Sequence, residues 1–362
     1  MANWMIYGAT GYTGQLIAHE AVKRGHQPVL AGRSEEKLRP IAEKLGLRYS
    51  VFGLNDMFTA VGGLQAAGDI QLVLHAAGPF IHTSEPMLKA CLQVGAHYLD
   101  ITGEIRVLEN HFLYDQKARE RGILVMSGVG FDIVPSDCLN KYVADQLPDA
   151  VHLEVVISAL TPSESDLGIS SGTLKSMLEM MPGGGYVRRG GTLMPYDFGA
   201  GEARFRFPQG EMTAVAIPWG DLATAYRTTG IPNITTYMTL PREPIQAMRL
   251  FGGVMARLMR IRAARQWVSG QIDQFLTGPT AETRDAARTV VYARATNRMG
   301  ETAEAWLETV EAYRFTAEAS VLAVEHVLQG DYHGALTPAQ AFGADFVLNV
   351  ETTRRMDTLN AL

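Results

Sequence analysis

Cysteine is nearly absent: the 362 residues hold only Cys91 and Cys138, and no C-x-x-C pair occurs. That scarcity excludes a disulfide framework and a cysteine-built metal centre, so no metal site is expected, and it fits a reducing cytoplasmic compartment. Long apolar runs are missing too. Polar or charged residues interrupt every stretch before the roughly 18 apolar residues that a spanning helix requires. The opening MANWMIYGATG has no basic n-region, extended apolar core or cleavage site, so the expectation is a protein that is not secreted. An excess of basic charge is likewise lacking. With 32 Lys and Arg against 38 Asp and Glu the formal net charge is -6, which argues against nucleic acid as a partner.

What the chain does have is apolar residues in quantity, at 47%, with only 19% charged, a balance that buries a core rather than staying disordered. Single cores stop growing beyond roughly 250 residues, so a chain of this length predicts two domains. The first part alternates short apolar runs with amphipathic stretches. NWMIYG leads into glycines and then a helical pattern from Thr13 to Arg24; Pro28 to Ala31 forms a second strand, and Ser34 is placed to cap the helix that follows. Further strands are expected at Tyr49 to Phe52, Gln71 to Ala76, Tyr98 to Ile101 and Ile123 to Ser127, with a helix at Glu85 to Val94. This alternation predicts an α/β fold: a doubly wound parallel sheet of the Rossmann type.

Beyond residue 150 the pattern changes. His152 to Leu160 and Thr289 to Thr296 read as longer strands, and Asn297 to Gly300 turns the latter into a hairpin with Ala303 to Tyr313. A second α+β domain with a mostly antiparallel sheet is expected. Thr161 to Gly201 is Gly- and Ser-rich, as mobile loops at a cleft are. Pro244 to Trp267 reads as a basic amphipathic helix, for which packing on the core or at a dimer contact outweighs a membrane surface. A last helix is expected at Thr316 to Gln329.

Gly8-Ala-Thr-Gly11-Tyr-Thr-Gly14 has G-x-x-G-x-x-G spacing between the first strand and first helix. There, backbone amides and the helix N-terminus hold a pyrophosphate, which makes Gly8, Thr10, Gly11, Tyr12, Thr13 and Gly14 cofactor residues. An enzyme selective for NAD places Asp or Glu after the second strand. This chain has Arg33, followed by Ser34 and Lys37, a set suited to a 2′-phosphate, so NADP(H) is the expected cofactor. Ala77, Gly78, Pro79 and Phe80 follow another strand end and are expected near the nicotinamide. His75 and His82 are read as satisfying local hydrogen bonds. Asp100-Ile-Thr-Gly-Glu104 and Gly128 to Asp137 set carboxylates just after strands, which makes Glu104 and Asp132 the stronger catalytic candidates; Ser136 and Asp137 are read as caps of a helix over Cys138 to Gln146. Lys175 and Tyr186 are candidate proton donors.

Taken together, the glycine turn, Ala31-Gly-Arg-Ser34, Ala77-Gly-Pro-Phe80, Asp100-Ile-Thr-Gly-Glu104 and Gly130-Phe-Asp-Ile-Val-Pro-Ser-Asp137 resemble the saccharopine dehydrogenase-like oxidoreductases, nearest the branch that includes mycobacterial trans-acting enoyl reductases. The resemblance is densest over residues 1 to about 140. It implies an NADP(H)-binding domain over 1–135 completed by 330–362, an α+β domain for substrate and dimer contacts over 136–329, and a substrate-side position for Asp132. One departure is visible: members of that branch often carry Tyr-Gly where this chain has Thr83-Ser84. The expected function is hydride transfer to a small unsaturated or carbonyl substrate, enoyl reduction being the most concrete form, with a homodimer as the expected assembly. Two other readings stand beside it. A saccharopine-type amino-acid dehydrogenase would use Arg188, Arg189 or Arg204 to clamp carboxylates, and a non-catalytic NADP(H)-sensing or membrane-surface scaffold would bind the nucleotide without turnover.

Overall fold

The computed structural model describes residues 3–160, 184–196, 201–240 and 279–359, together with scattered positions between 174 and 271. Two compact units divide the chain, Met1–Asp132 with Ala312–Phe342 and Ile133–Glu311 with Gly343–Leu362.

In the first unit, strands β1 (Trp4–Tyr7), β2 (Val29–Gly32), β3 (Tyr49–Val51), β4 (Leu72–His75), β5 (His97–Asp100) and β6 (Leu124–Met126) alternate with helices α1 (Tyr12–Lys23), α2 (Glu35–Leu45), α3 (Met57–Ala67), α4 (Phe80–Val94), α5 (Ile105–Phe112) and α6 (Asp115–Arg121). The sheet is parallel and ordered β3-β2-β1-β4-β5-β6. β1, β2 and β4 are buried along their whole length, as strands covered on both faces must be, which is why they read as unbroken apolar runs. The order reverses between β1 and β4, and ligands of such sheets gather at the carboxyl ends of the strands flanking that reversal.

Local signals account for α2. Ser34 accepts from the Lys37 amide, Glu35 and Glu36 occupy the first turn, and Gly46 closes the helix at φ +67. α4 differs from its sequence reading, beginning at Phe80 rather than Glu85. Pro86 favours a first-turn position and so signals a later start, but the early amides of α4 are satisfied by a carboxylate 24 residues downstream in sequence.

The second unit holds α7 (Val134–Gln146), β7 (His152–Leu160), β8 (Gly185–Arg189), β9 (Thr192–Tyr196), β10 (Glu202–Phe207), β11 (Gly210–Ala216), α8 (Asp221–Thr229), β12 (Asn233–Thr239), α9 (Ala281–Ala286), β13 (Arg288–Thr296) and β14 (Thr302–Val310). With β16 (Arg354–Met356) the strands form a mixed sheet ordered β10-β11-β12-β7-β13-β14-β16, with the β8–β9 hairpin attached to β12. Among the described strands of this sheet only the β7–β12 pair runs parallel. The expected hairpin is present: Asn297 accepts from the amides of Met299 and Glu301, and Gly300 takes φ +84.

Five expectations are corrected. α7 begins at Val134, with Pro135 in its first turn, where its missing N–H is harmless. Ser136 and Asp137 therefore lie inside the helix: Ser136 donates to the Ile133 carbonyl, and Asp137 accepts from the Thr228 hydroxyl. β14 ends at Val310, so Tyr313 belongs to the next helix, α10 (Ala312–Gln329), which starts four residues earlier than expected. Part of the irregular Thr161 to Gly201 stretch is the β8–β9 hairpin; most of 161–183 lies outside the described residues.

The segment returning to the first unit is Ala312–Phe342, which carries α10, the two-residue β15 (Gly334–Ala335) beside β6, and α11 (Pro338–Phe342). The resemblance places that return at 330–362. α10 is held on α1 by an ion pair of Arg24 with Glu325, by a hydrogen bond between His26 and Glu325, and by edge-on packing of Tyr12 on Tyr313. The chain after Phe342 pairs β16 with β14 instead. Among the described residues no helix is long and apolar enough to cross a membrane. Most of Pro244 to Trp267 lies outside the described residues.

Candidate functional site

The carboxyl edge of the parallel sheet brings together the loops after β1, β4, β5 and β6. After β1, Gly8 takes φ +93, and a Cβ there would stand 2.8 Å from the Ala76 carbonyl carbon and the Ala77 amide, so the β1 and β4 loops touch backbone to backbone. Gly14 is pinned in the same way: its Cβ would stand 2.2 Å from the Gly8 carbonyl oxygen. Gly11 caps α1 with no side-chain acceptor, and the first turn holds no acidic residue to repel an anion at this helix N-terminus. This glycine cradle fits a pyrophosphate.

At the end of β2, Arg33 is exposed, and no carboxylate or hydrogen-bond partner engages it among the described residues. Its charge reaches the Tyr7 hydroxyl, whose pKa burial nonetheless pushes up to about 12. Lys37 is exposed beside it, while the Ser34 hydroxyl is already occupied as the α2 cap at 3.4 Å from the Lys37 amide. Two cations with no ion-pair partner among the described residues, next to a cradle, fit a 2′-phosphate. Gly78 is exposed, and Ala77 and Pro79 are partly so, while Phe80 is buried.

Beneath these loops lies a buried polar network that the sequence reading did not find. Asp100 ends β5 and accepts from Tyr98 Oη at 2.8 Å, Ser127 Oγ at 2.9 Å, Thr102 N at 3.0 Å and Gly128 N at 3.1 Å, which ties the β5 loop to the β6 loop. Desolvation outweighs these four donors and raises its carboxyl to about 6. Because Ser127 donates to Asp100, the network assigns the proton of His111 to Nδ1, which donates to Ser127 Oγ at 2.6 Å; Nε2 faces Ser84 Oγ at 3.2 Å. Thr83 donates to the Ala77 carbonyl and so accepts from His75 Nε2, which leaves the buried His75 Nδ1 without a partner. Thr83 and Ser84 are the residues that meet the two histidines.

Burial lowers His75 from 6.5 to about 3, with the charge of His111 acting in the same direction, so His75 is neutral and structural. The unfolded chain takes up this proton below pH 6.5 and the folded one does so only near 3, so stability falls as pH drops through that window. Relative to His75→Gln, the wild-type protein is expected to lose about 1.4 kcal/mol per pH unit between roughly pH 6 and 4. Urea unfolding at several pH values measures this; parallel profiles for the two proteins would contradict it.

Of the four catalytic candidates, two are neighbours. Glu104 is buried and its carboxylate accepts from the amides of Phe80 at 2.8 Å and Ile81 at 2.9 Å. Asp132 is partly exposed, and a Cβ on Gly103 would stand 2.8 Å from its Oδ2. Desolvation, with the Glu104 charge adding to it, raises the Asp132 carboxyl to about 6. Phe131 N donates to Thr316 Oγ1, so the start of α10 braces this loop. Tyr186 sits half-buried in β8 of the second unit, opposite Pro195, and Lys175 lies outside the described residues. The arginines suggested for an amino-acid clamp have partners within their own unit: Arg188 with the Leu222 and Gly191 carbonyls, Arg189 with Thr235, and Arg204 with Glu211.

Residues 4–126 match the family model of the saccharopine dehydrogenase NADP binding domain. That N-terminal stretch is thus similar to the NADP-binding domain of saccharopine dehydrogenases. The glycine cradle and Arg33 lie within the matched stretch. The chain is 28% identical over 249 residues to the saccharopine dehydrogenase-like oxidoreductase of Rattus norvegicus, covering 62% of this chain and 58% of that protein. It is 35% identical over 143 residues to the trans-acting enoyl reductase of Mycobacterium tuberculosis, covering 38% of this chain and 34% of the reductase. The matches thus span about half or less of the length of these curated relatives. Among solved structures, apo saccharopine dehydrogenase (L-Glu forming) from Saccharomyces cerevisiae superposes with a TM-score of 0.66 over 98% of this chain and 100% of that one. At 12% identity that likeness is one of fold.

Proposed function

We propose that the protein is an NADP(H)-dependent oxidoreductase that transfers hydride to a small unsaturated or carbonyl substrate, with enoyl reduction as its most concrete form. The observation that carries the proposal is the placement of Asp132, a residue of intermediate exposure whose carboxyl desolvation raises to about 6, at the same sheet edge as the glycine cradle. Gly8, Gly11 and Gly14, with Thr10, Tyr12 and Thr13 around them, would hold the pyrophosphate. Arg33 and Lys37 would hold the 2′-phosphate, and Ala77 to Phe80 would line the nicotinamide half. When bound, NADPH supplies the hydride. Asp132 holds a proton for the substrate atom that gains negative charge, and the Glu104 charge beside it favours the protonated form. The relatives named as an oxidoreductase and an enoyl reductase support this reading.

A panel of enoyl thioesters, aldehydes, ketones, 2-oxo acids and amino acid plus 2-oxo acid mixtures, followed by loss of NADPH absorbance, tests it. Oxidation with an enoyl or carbonyl compound is expected. Tight NADPH binding with no turnover across the panel would overturn the proposal in favour of a nucleotide sensor.

A further inference from the structure

α4 cannot cap itself. Its N-cap is Pro79, which offers no side-chain acceptor, yet its first residue, Phe80, is buried with its amide pointing at Glu104. Glu104 itself is braced from below: its amide donates to Thr102 Oγ1 at 3.0 Å, and the Thr102 amide donates to Asp100, which also accepts from Gly128. Two buried carboxylates thus lock three loops in series, with the β6 loop joined to the β5 loop by Asp100 and the β5 loop joined to the start of α4 by Glu104. The turn that Glu104 holds, Ala77 to Pro79, is open to solvent and abuts Gly8 of the cradle. A carboxylate accepting two amides in a dry site is worth more there than in water, because both donors would be left unpaired without it.

We propose that Glu104 is a positioning residue whose carboxylate, by accepting from the Phe80 and Ile81 amides, sets the Ala77–Phe80 turn in register with the nicotinamide half of NADP(H). The inference rests on the proposed placement of the nicotinamide at that turn. It assigns Glu104 an action through the backbone rather than on substrate.

The test compares the full-length wild-type protein with Glu104→Gln, a near-isosteric change that keeps one acceptor but sets an NH2 group against the second amide. Three quantities are read: hydrogen exchange at the Phe80 and Ile81 amides, the Kd for NADPH, and the Kd for 2′,5′-ADP, which occupies only the adenosine end. Exchange at the two amides and the NADPH Kd are each expected to rise by about ten-fold, the 2′,5′-ADP Kd staying within about two-fold. Faster exchange with NADPH affinity unchanged would reduce Glu104 to a helix cap and overturn the proposal. Equal loss for both ligands, or a variant that no longer folds, would make Glu104 a general fold residue and overturn it too. Failure of the wild-type protein itself to bind either ligand would overturn the NADP(H) placement instead, and this inference with it.

Discussion

A methyl group added at Gly14 is expected to raise the NADPH Kd by at least about 100-fold while the second sheet remains folded. The added Cβ would stand 2.2 Å from the Gly8 carbonyl oxygen, 2.9 Å from its carbon and 3.0 Å from the Ala9 Cα, all of them backbone atoms. None of these can swing aside as a side chain does, so the turn itself must move, and its amides leave the positions that hold a pyrophosphate. The overpacking should also destabilise the first unit by roughly 1–3 kcal/mol. Gly62→Ala is the matching control. Gly62 lies exposed within α3 with nothing inside 4 Å of an added Cβ, so that change should be neutral or stabilise by up to about 1 kcal/mol. Nicotinamide fluorescence titration and thermal unfolding of both variants provide the measurement. Unaltered affinity in Gly14→Ala would show that the turn does not hold the cofactor.

The second large effect is expected at Asp132. In the reductive direction Asp132→Asn should lower kcat by roughly 10²–10³-fold, the usual contribution of a positioned proton donor, with the NADPH Kd little changed. Its pH dependence has a definite sign. A carboxyl raised to about 6 is protonated below that value and ionised above it, so wild-type reduction should slow as pH rises through about 6. The Asn variant has no proton to lose there, so its lower rate should be flat over the same range. A wild-type profile that rises through pH 6, or an Asn variant that keeps the limb, would remove Asp132 from the proton-donating role.

These effects fall on residues whose visibility in the sequence differed for physical reasons. Gly8, Gly14 and Arg33 act within one strand-turn-helix-strand unit, where spacing alone reports the geometry. Strands β1, β2 and β4 were equally visible, because burial on both faces writes continuous apolar runs. Glu104 was visible as a carboxylate after a strand, but not in its role, because the amides it satisfies lie 24 and 23 residues away. The same separation hid the start of α4: Pro86 is a local signal, whereas the cap that overrides it is not. The buried network around Asp100 gave no pattern at all, since Tyr98, His111 and Ser127 become neighbours only when β5, α5 and β6 pack together. The return of α10 depended on Glu325 meeting Arg24 and His26, a contact between chain ends that no periodicity records.

Whether the glycine cradle and Arg33 form one site selective for NADP(H) is tested most directly by titration of wild-type protein and Arg33→Ala with NADPH and NADH. The wild type should prefer NADPH, and Arg33→Ala should lose roughly 10- to 100-fold in NADPH affinity, as expected for removing a charge-assisted contact, with NADH binding little changed. Equal affinity of the wild type for both nucleotides, or a preference that survives in Arg33→Ala, would contradict such a site.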